Sequence, residues 1–580
     1  MSSSDRQPYL SATVLDQDLL DNCHDNLVCQ LEMVCTIAVP TGAGFDNDLL
    51  YLSDRNKYVG DDFYEARLKF PIIKRTAGQL LSPSVEFGDL KLEVNNADGR
   101  YNSILPGGSA FSGMIGREVI VMLGLSDKSA TYKTIFRGFV SDIGGFGRTI
   151  KSFFIVARDQ FDKLRAKFPN TTFTTTSYPD IQDSVNGKII PYIFGDWTAE
   201  PLNISSGASV PAFIVNGTNA SVIAGSSNLS CVISQNTNVS FDTSSVILQR
   251  SEDFFTFDAA DITNVSGNLN AFEVKQGGSG GSTSIGGSPY TFIDSDRFWV
   301  KVQGQEVVAG NVYDSNAVEI ARYILINFGG AQVSDFDSTW DAFRDKNTPA
   351  ESAIFGFRFR AHFEKQVDAL TTALSLLEQV RLEGFINSDQ KLSLNPLHFD
   401  EFDSSPSFIV RAWDIERNTF KPKIDERINI NRMKGFFNLL PDTNENNNET
   451  NFFKNQASID QYLKTTEKGV VFPNMYVRSE VDLQVPEILR ITSSFMEIIQ
   501  VTQTWRSMLL DVGDFVTLDV TIGATIFQDV PAMVRTIAFS ADGLRVIITY
   551  WSFQLIPYDG YSPTYSGIVG GSTATITEET

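Results

Sequence analysis

From Leu27 to Phe168 the chain is a series of short apolar runs cut by glycine, asparagine and aspartate, and this pattern limits its fold more than any other feature. Cys29, Leu31, Met33, Cys35, Ile37 and Val39 alternate with Gln30, Glu32, Thr36 and Ala38, with Val34 the exception. Such alternation places one face of a strand in a core and the other toward water. Leu90, Leu92 and Val94 repeat it after Val85 and Phe87, and the change of phase at Gly88-Asp89 suggests a bulge. Val119 to Leu123, Ile135 to Val140 and Phe153 to Ala157 follow with turn signals between them. Evenly spaced short strands of this kind make a barrel or a sandwich. Asp159 to Phe168 is expected to close the unit as a short helix with Phe161, Leu164 and Phe168 on one side.

The 580 residues leave room for several domains. The 44 phenylalanines, with frequent Val, Ile and Thr, favour pleated, half-buried surfaces. Val185 to Trp197 reads VNGKIIPYIFGDW and marks a junction: Gly187 and Gly195 set turns, Pro191 breaks the strand, and Ile189, Ile190, Ile193 and Phe194 fill the seam between barrel and inserted module. Its structural residues are Gly187, Lys188, Ile190, Pro191 and Gly195. Beyond it, 200 to 312 changes texture to Ser, Asn, Gly and Thr and is expected to be an inserted β-domain. Gly277 to Ser282 is loop-like, and with no Lys-Ser/Thr after it no phosphate cradle is expected.

Two helices stand out. Asn316 with Glu319 forms a cap, Val318, Ala321, Ile324 and Leu325 a stripe, and Gly329-Gly330 a stop. The second is expected from about Glu364 to Leu382, with Val367, Leu370, Leu374, Leu377 and Val380 or Arg381 on one face and Gly384 ending it. Phe385 to Leu394 then reads as a hairpin. Strands return near Phe408, with Glu426 to Asn431 alternating, a short polar helix over Ala457 to Tyr462, a turn into a strand at Val512-Gly513-Asp514, and a long hairpin from Met533 to Trp551.

Little of this points to chemistry. The formal charge of −23 argues against tight binding to a nucleic acid backbone, which needs clustered cations. The three histidines, His24, His362 and His398, lie in no hydrolase frame. Cys23, Cys29 and Cys35 beside His24 are better placed on a strand than around zinc, and Cys231 stands apart. Asp335, Asp337 and Asp341 lack the spacing of a calcium loop, and the acidic stretch at His398 to Asp403 reads as a solvated edge. No catalytic residue, metal or cofactor is expected. No apolar run approaches the length of a membrane helix, and the polar N-terminus lacks the form of a signal peptide, so neither stable membrane insertion nor secretion is expected.

The order of these motifs resembles the tail hub proteins of tailed phages. Leu90 to Gly99, Gly116-Arg117-Glu118-Val119 and Ile135 to Val140 look like their first barrel. Gly187 to Gly195 is similar to the GKPIPIVYG segment that follows it, although Tyr192 and Phe194 are bulkier than usual. The helix, the Phe-Ile-Asn hairpin and the Val512-Gly513-Asp514 strand come in the same order, over most of residues 27 to 557; the 200–312 insertion has no counterpart.

The resemblance implies a mainly β, multidomain fold with a smaller α+β part: two tube-like β-barrels, an inserted β-domain and a helix–hairpin domain. The expected division is an arm over 1–26, a first barrel over 27–167, a connector over 168–200, the insertion over 201–312, the α+β domain over 313–404, a second barrel over 405–557 and a tail over 558–580. It also implies a non-enzymatic homotrimer at the distal end of the tail, a symmetry adaptor that presents six barrels to a six-fold tube. Partners would be tail tube or distal tail proteins, tip, spike or fibre proteins, and the tape measure protein, with DNA passing unbound. The alternatives are a receptor-binding adhesin using Tyr290, Phe292 and Trp299, and a cell-wall or polysaccharide hydrolase with two carboxylates in a cleft.

Overall fold

The structure is a computed structural model. It describes residues 31–579 apart from 42, 46–47, 70–72, 77–89, 126–131, 145–150, 180, 182, 199–209, 215–228, 236–239, 242–244, 251–252, 258–261, 265–270, 275–283, 286–287, 290–295, 306–315, 345–356, 388, 398–407, 417, 426–428, 440–445, 494–495, 504–506, 508–509, 523–524, 540–544 and 554–575. The arm over 1–26, Cys23, His24 and Cys29, the bulge at Gly88, the loop at Gly277, Tyr290 and Phe292, the acidic stretch at His398 and most of the tail lie outside the described residues.

Ten strands open the chain: β1 (Leu31–Ala38), β2 (Leu49–Ser53), β3 (Lys57–Val59), β4 (Asp62–Ala66), β5 (Leu68–Lys69), β6 (Ile73–Thr76), β7 (Leu90–Asn95), β8 (Glu118–Leu125), β9 (Lys133–Gly144) and β10 (Ser152–Asp159). All but β6 form one sheet in the order β3-β4-β2-β1-β8-β9-β10-β7-β5. Alternation sets its inner face: Leu90, Leu92 and Val94 are buried while Lys91 is exposed. Cys35 packs there as a buried free thiol. The closing segment is a 3-10 turn, Gln160–Arg165, shorter than the helix expected, and Asp159 caps it by accepting from the Phe161 N–H at 2.9 Å.

The junction contributes β11 (Tyr192–Phe194). The module after it is a seven-stranded antiparallel sheet over Val210–Val300. Helix α1 (Ala317–Asn327) has the expected capping box between Asn316 and Glu319. Next come β12 (Ala361–Phe363) and α2 (Ala369–Gln379). Helix α2 starts later than its stripe suggested, because Asp368 caps it from an extended backbone and accepts from the Thr371 N–H at 2.6 Å. Val367, assigned to the stripe, is therefore exposed. Its end is also early: Arg381 takes a left-handed conformation, and Gly384 lies in the hairpin strand Leu382–Ile386, against Leu374. That strand pairs with Leu392–Pro396 as expected.

A second large sheet contains β13 (Phe408–Arg411), β14 (Lys421–Asp425), β15 (Met496–Gln503), β16 (Phe515–Ile522), β17 (Thr525–Phe539) and β18 (Val546–Phe553), in the order β13-β16-β17-β18-β15-β14. The strand lies at Lys421–Asp425, ahead of the alternating Glu426 to Asn431, whose described part, 429–431, is not strand. Between β14 and β15 the chain leaves this sheet. It forms a small sheet around Arg432–Leu439 and then helix α3 (Arg478–Thr492), which share one apolar cluster with α1 and α2.

The two large sheets share a plan. Setting aside β2–β4 and β6, the first reads β1-β8-β9-β10-β7-β5 and the second β13-β16-β17-β18-β15-β14. Ranked by position in the chain, both orders are one-four-five-six-three-two. The bulges coincide as well. The register slips after Val121 in β8 and after Leu518 in β16, and the residue skipped between the second and third meander strands is Ser141 in one sheet and Arg535 in the other. In each, a glycine at positive φ precedes the first meander strand. Gly116 donates to Val140 O and Val140 to Arg117 O; Gly513 donates to Val534 O and Val534 to Asp514 O. One difference is the flank: β1 runs antiparallel to β8, whereas β13 runs parallel to β16.

The sheets are not separate bodies. Strand β6 crosses from the first and pairs with Thr536–Phe539 of β17, extending the edge that β16 leaves near Met533. Leu92, Val119 and Ile155 share one apolar cluster with Val516, Ile537 and Ile548. The expected closure into tubes is not seen, since both strand orders run open among the described residues.

Candidate functional site: the junction strand

Strand β11 is where three parts of the chain meet. One edge pairs antiparallel with β12, Tyr192 opposite Phe363 and Phe194 opposite Ala361. The other edge receives the end of the inserted module: Gln305 N–H donates to Ile193 O at 2.8 Å, Gly304 N–H to Gly195 O at 2.9 Å, and Trp197 N–H to Val302 O at 2.9 Å.

Strand alternation then sends neighbouring side chains into different cores. Ile193 packs among Val210, Cys231 and Phe298 of the module. Tyr192 and Phe194 enter the helix core with Phe168, Ile324 and Leu377. Phe168 meets Phe328 at 4.6 Å and Phe363 at 5.2 Å between ring centroids, and Phe194 meets Tyr323 at 5.7 Å. Tyr192 and Tyr323 share a hydroxyl hydrogen bond of 2.7 Å, which lets a buried phenol keep a partner. Burial raises the Tyr192 pKa far above its ordinary value, so it stays neutral, and burial pushes His362 down to about 4.

The five expected junction residues do different jobs. Gly187 has φ +81° and open space beside it, so only its backbone conformation favours glycine. Gly195 has φ +79° and also lies against β12's approach, where a Cβ would sit 2.2 Å from Phe359 O. Pro191 is buried, and its carbonyl accepts from Gln235 N–H at 2.9 Å and Ser234 Oγ at 3.1 Å, both from the module. Ile190 packs with Phe173 and Val185 on one side and Val232 and Ala271 of the module on the other. Lys188 has an exposed side chain and acts through its backbone, which bonds Phe173 and Val185.

Arg360 completes the joint, and no local pattern in the sequence marks it. Its guanidinium lies 4.7 Å from the Trp197 ring centroid and 4.6 Å from that of Tyr476, and it donates to Asn438 Oδ1. A buried planar cation between two aromatic faces ties the junction to the Arg432–Thr492 layer. The arrangement consists of backbone ladders, mixed cores and one stacked cation. Among the described residues no group of three or more His, Cys, Asp or Glu could hold a metal ion, and no helix is long and apolar enough to cross a membrane.

No protein-family model matches the chain, and no curated protein matches it in sequence. Among solved structures it is similar to a tail protein from Neisseria meningitidis MC58, at 9% identity and TM-score 0.39, covering 90% of this chain and 98% of that one. A 43 kDa tail protein of prophage MuSo2 from Shewanella oneidensis matches at 10% identity and TM-score 0.34, with coverage of 90% and 98%. A chain from the virion of a native gene transfer agent particle matches at 9% identity and TM-score 0.38, covering 68% and 90%. At these scores the likenesses are too remote to fix a fold or a function.

Proposed function

We propose that this chain is a structural protein of a phage tail, the hub of its tip or baseplate. The observation that carries the reading is the duplicated sheet: one chain holds two copies of a six-strand plan, fused through β6 and a common core. Three such chains present six similar sheets, which is the match a three-fold hub needs to meet a six-fold tube. The order of the sequence motifs supports the same reading, since Gly116-Arg117 and Gly513-Asp514 now prove to occupy one position in the two copies.

In this role the junction strand holds the outward module on the helix layer, while the paired sheets form part of the channel wall. An acidic chain of net charge −23 offers passing DNA few counterion-releasing contacts. The partners are the tail tube or distal tail proteins above, tip, spike or fibre proteins below, and the tape measure protein within. The reading is tested by imaging the purified chain under assembly conditions. It expects three-chain particles with six-lobed end views; particles that stay single-chain, or rings with no six-fold modulation, would overturn it.

A further inference from the structure

The duplication gives each sheet a direction, and the direction identifies two unlike ends. The first sheet runs from β3 to β5, and β5 leads through β6 into the second sheet, so its β5 end is the one tied within the chain. At its other end lies the β3–β4 hairpin, which has no counterpart among the described strands of the second sheet. The second sheet finishes at β14, which pairs with β15 on one edge and with no described strand on the other.

The hairpin holds two aromatic rings in solvent. Tyr58 is 71% exposed and Phe63 42%, with their rings 5.0 Å apart across the strands. Paired aromatic area on an exposed sheet edge suits a contact with another chain. Asp61 and Asp62 are exposed at its tip, and the basic residues nearby are already engaged: Lys57 with Glu32 at 3.0 Å and Arg55 with Asp54 at 3.4 Å. The start of strand β14 has the opposite sign, with Asp425 at its far end. Lys421 and Lys423 lie two residues apart, on one face of the strand, and both are exposed, as is Pro422 between them. Lysine and proline on an edge discourage indiscriminate strand pairing. They leave the edge open to a partner whose charges answer them.

We infer that the β3–β4 hairpin of one copy docks on the β14 edge of a second copy, Asp61 and Asp62 facing Lys421 and Lys423. The contact is head-to-tail, joining the far end of one sheet to the far end of the other, and such contacts close into rings when the rotation permits. It continues between chains the sequence of sheets that β6 begins within one. The inference rests on the self-assembling hub reading and specifies the surface through which copies meet.

Sedimentation velocity over a dilution series of the full chain tests it. Lys421→Glu with Lys423→Glu should raise the concentration at half-assembly by about tenfold or more, as should Asp61→Lys with Asp62→Lys, because like charges then face each other. The four-site variant, with the signs exchanged, should assemble like the wild type. Circular dichroism on each variant separates lost assembly from lost folding. If the wild type assembles and either folded double variant assembles equally well, the contact is overturned and the hub reading stands; the same holds if exchange fails to restore assembly. If the wild type stays single-chain at every concentration, the hub reading falls and this contact with it.

Discussion

The first and second large sheets share a six-strand order and break register at matching places, yet they are held in different ways. At the shared bulge the first carries Ser141, whose hydroxyl donates to Val156 O at 3.1 Å within its own sheet. The second carries Arg535, which leaves its sheet to pair with Glu383 of the helix–hairpin unit through both terminal nitrogens, while stacking 3.8 Å from the Trp551 ring centroid. One bulge closes on itself; the other serves as a dock. A common backbone plan therefore fixes where an irregularity falls, and the residue placed there decides what it is used for.

The comparison breaks most visibly at that position. Arg535 and Glu383 are both largely buried, so Arg535→Ala leaves a carboxylate desolvated without its partner. The expected loss is about 3–5 kcal/mol. Ser141→Ala removes one hydrogen bond from a half-buried site and should cost about 1 kcal/mol. Urea unfolding of the two variants measures the difference, and equal losses would show that Arg535 is not the dock.

A second matched pair probes packing. Gly138 and Ala532 occupy the same place, opposite Asp159 and Ser552 respectively. In the first sheet a Cβ at Gly138 would lie 2.1 Å from Arg158 O and 2.8 Å from Phe136 Cζ. Gly138→Ala should therefore cost about 1–3 kcal/mol, since backbone has to move. Ala532→Gly should cost about 1 kcal/mol or less, chiefly through the entropy of the unfolded chain. Thermal melts that ranked the two in the opposite order would mean that the sheets are packed alike at this point.

How much of this was legible in the sequence follows from the range of each cause. The strands of the first sheet showed themselves because alternation is local: Leu90, Leu92 and Val94 carry their own period. The α1 cap was legible for the same reason, Asn316 and Glu319 being three residues apart. The junction was legible as a place, through Gly195 and Pro191, but the division of Ile193 from Tyr192 and Phe194 into separate cores depends on which segments flank the strand. Helix α3 was missed although Val481, Val485, Ile488 and Leu489 form a buried stripe, because Pro486 interrupts it and the remaining surface is polar. The duplication was hidden by its own divergence: Gly138 against Ala532, Ser141 against Arg535 and Asp159 against Ser552 share positions and little chemistry. Arg360 had no local signature, since Trp197, Asn438 and Tyr476 come to it from distant parts of the chain.

The third pair separates the sheets by pH. Burial pushes the Asp159 carboxyl up to about 7, against an ordinary 3.8, while its counterpart Ser552 does not titrate. The folded pKa is raised, so the folded state favours the protonated acid. The stability this confers is complete at low pH and is lost as pH rises from about 4 through 7. Asp159→Asn keeps an acceptor for the Phe161 N–H and cannot ionise. The difference in stability between variant and wild type should therefore grow in the variant's favour across that window and level off above it. A difference that stays flat with pH would show that Asp159 ionises freely in the folded protein.

The last pair is the two glycines that start the meanders. Gly116 and Gly513 both hold positive φ, at +82° and +91°, so alanine at either place carries a left-handed backbone penalty of about 1 kcal/mol. Their surroundings differ as the sheets do. A Cβ at Gly116 meets nothing within 4 Å, whereas one at Gly513 would lie 3.0 Å from Asn395 Nδ2, whose amide donates to Gly513 O at 3.2 Å. Gly513→Ala should thus cost the backbone penalty plus the strain of moving Asn395, and Gly116→Ala the backbone penalty alone. Adding Asn395→Ala to each variant sharpens the test: it should bring the Gly513 cost toward that of Gly116 and leave the Gly116 cost unchanged, because only the second sheet is clamped from outside at this turn.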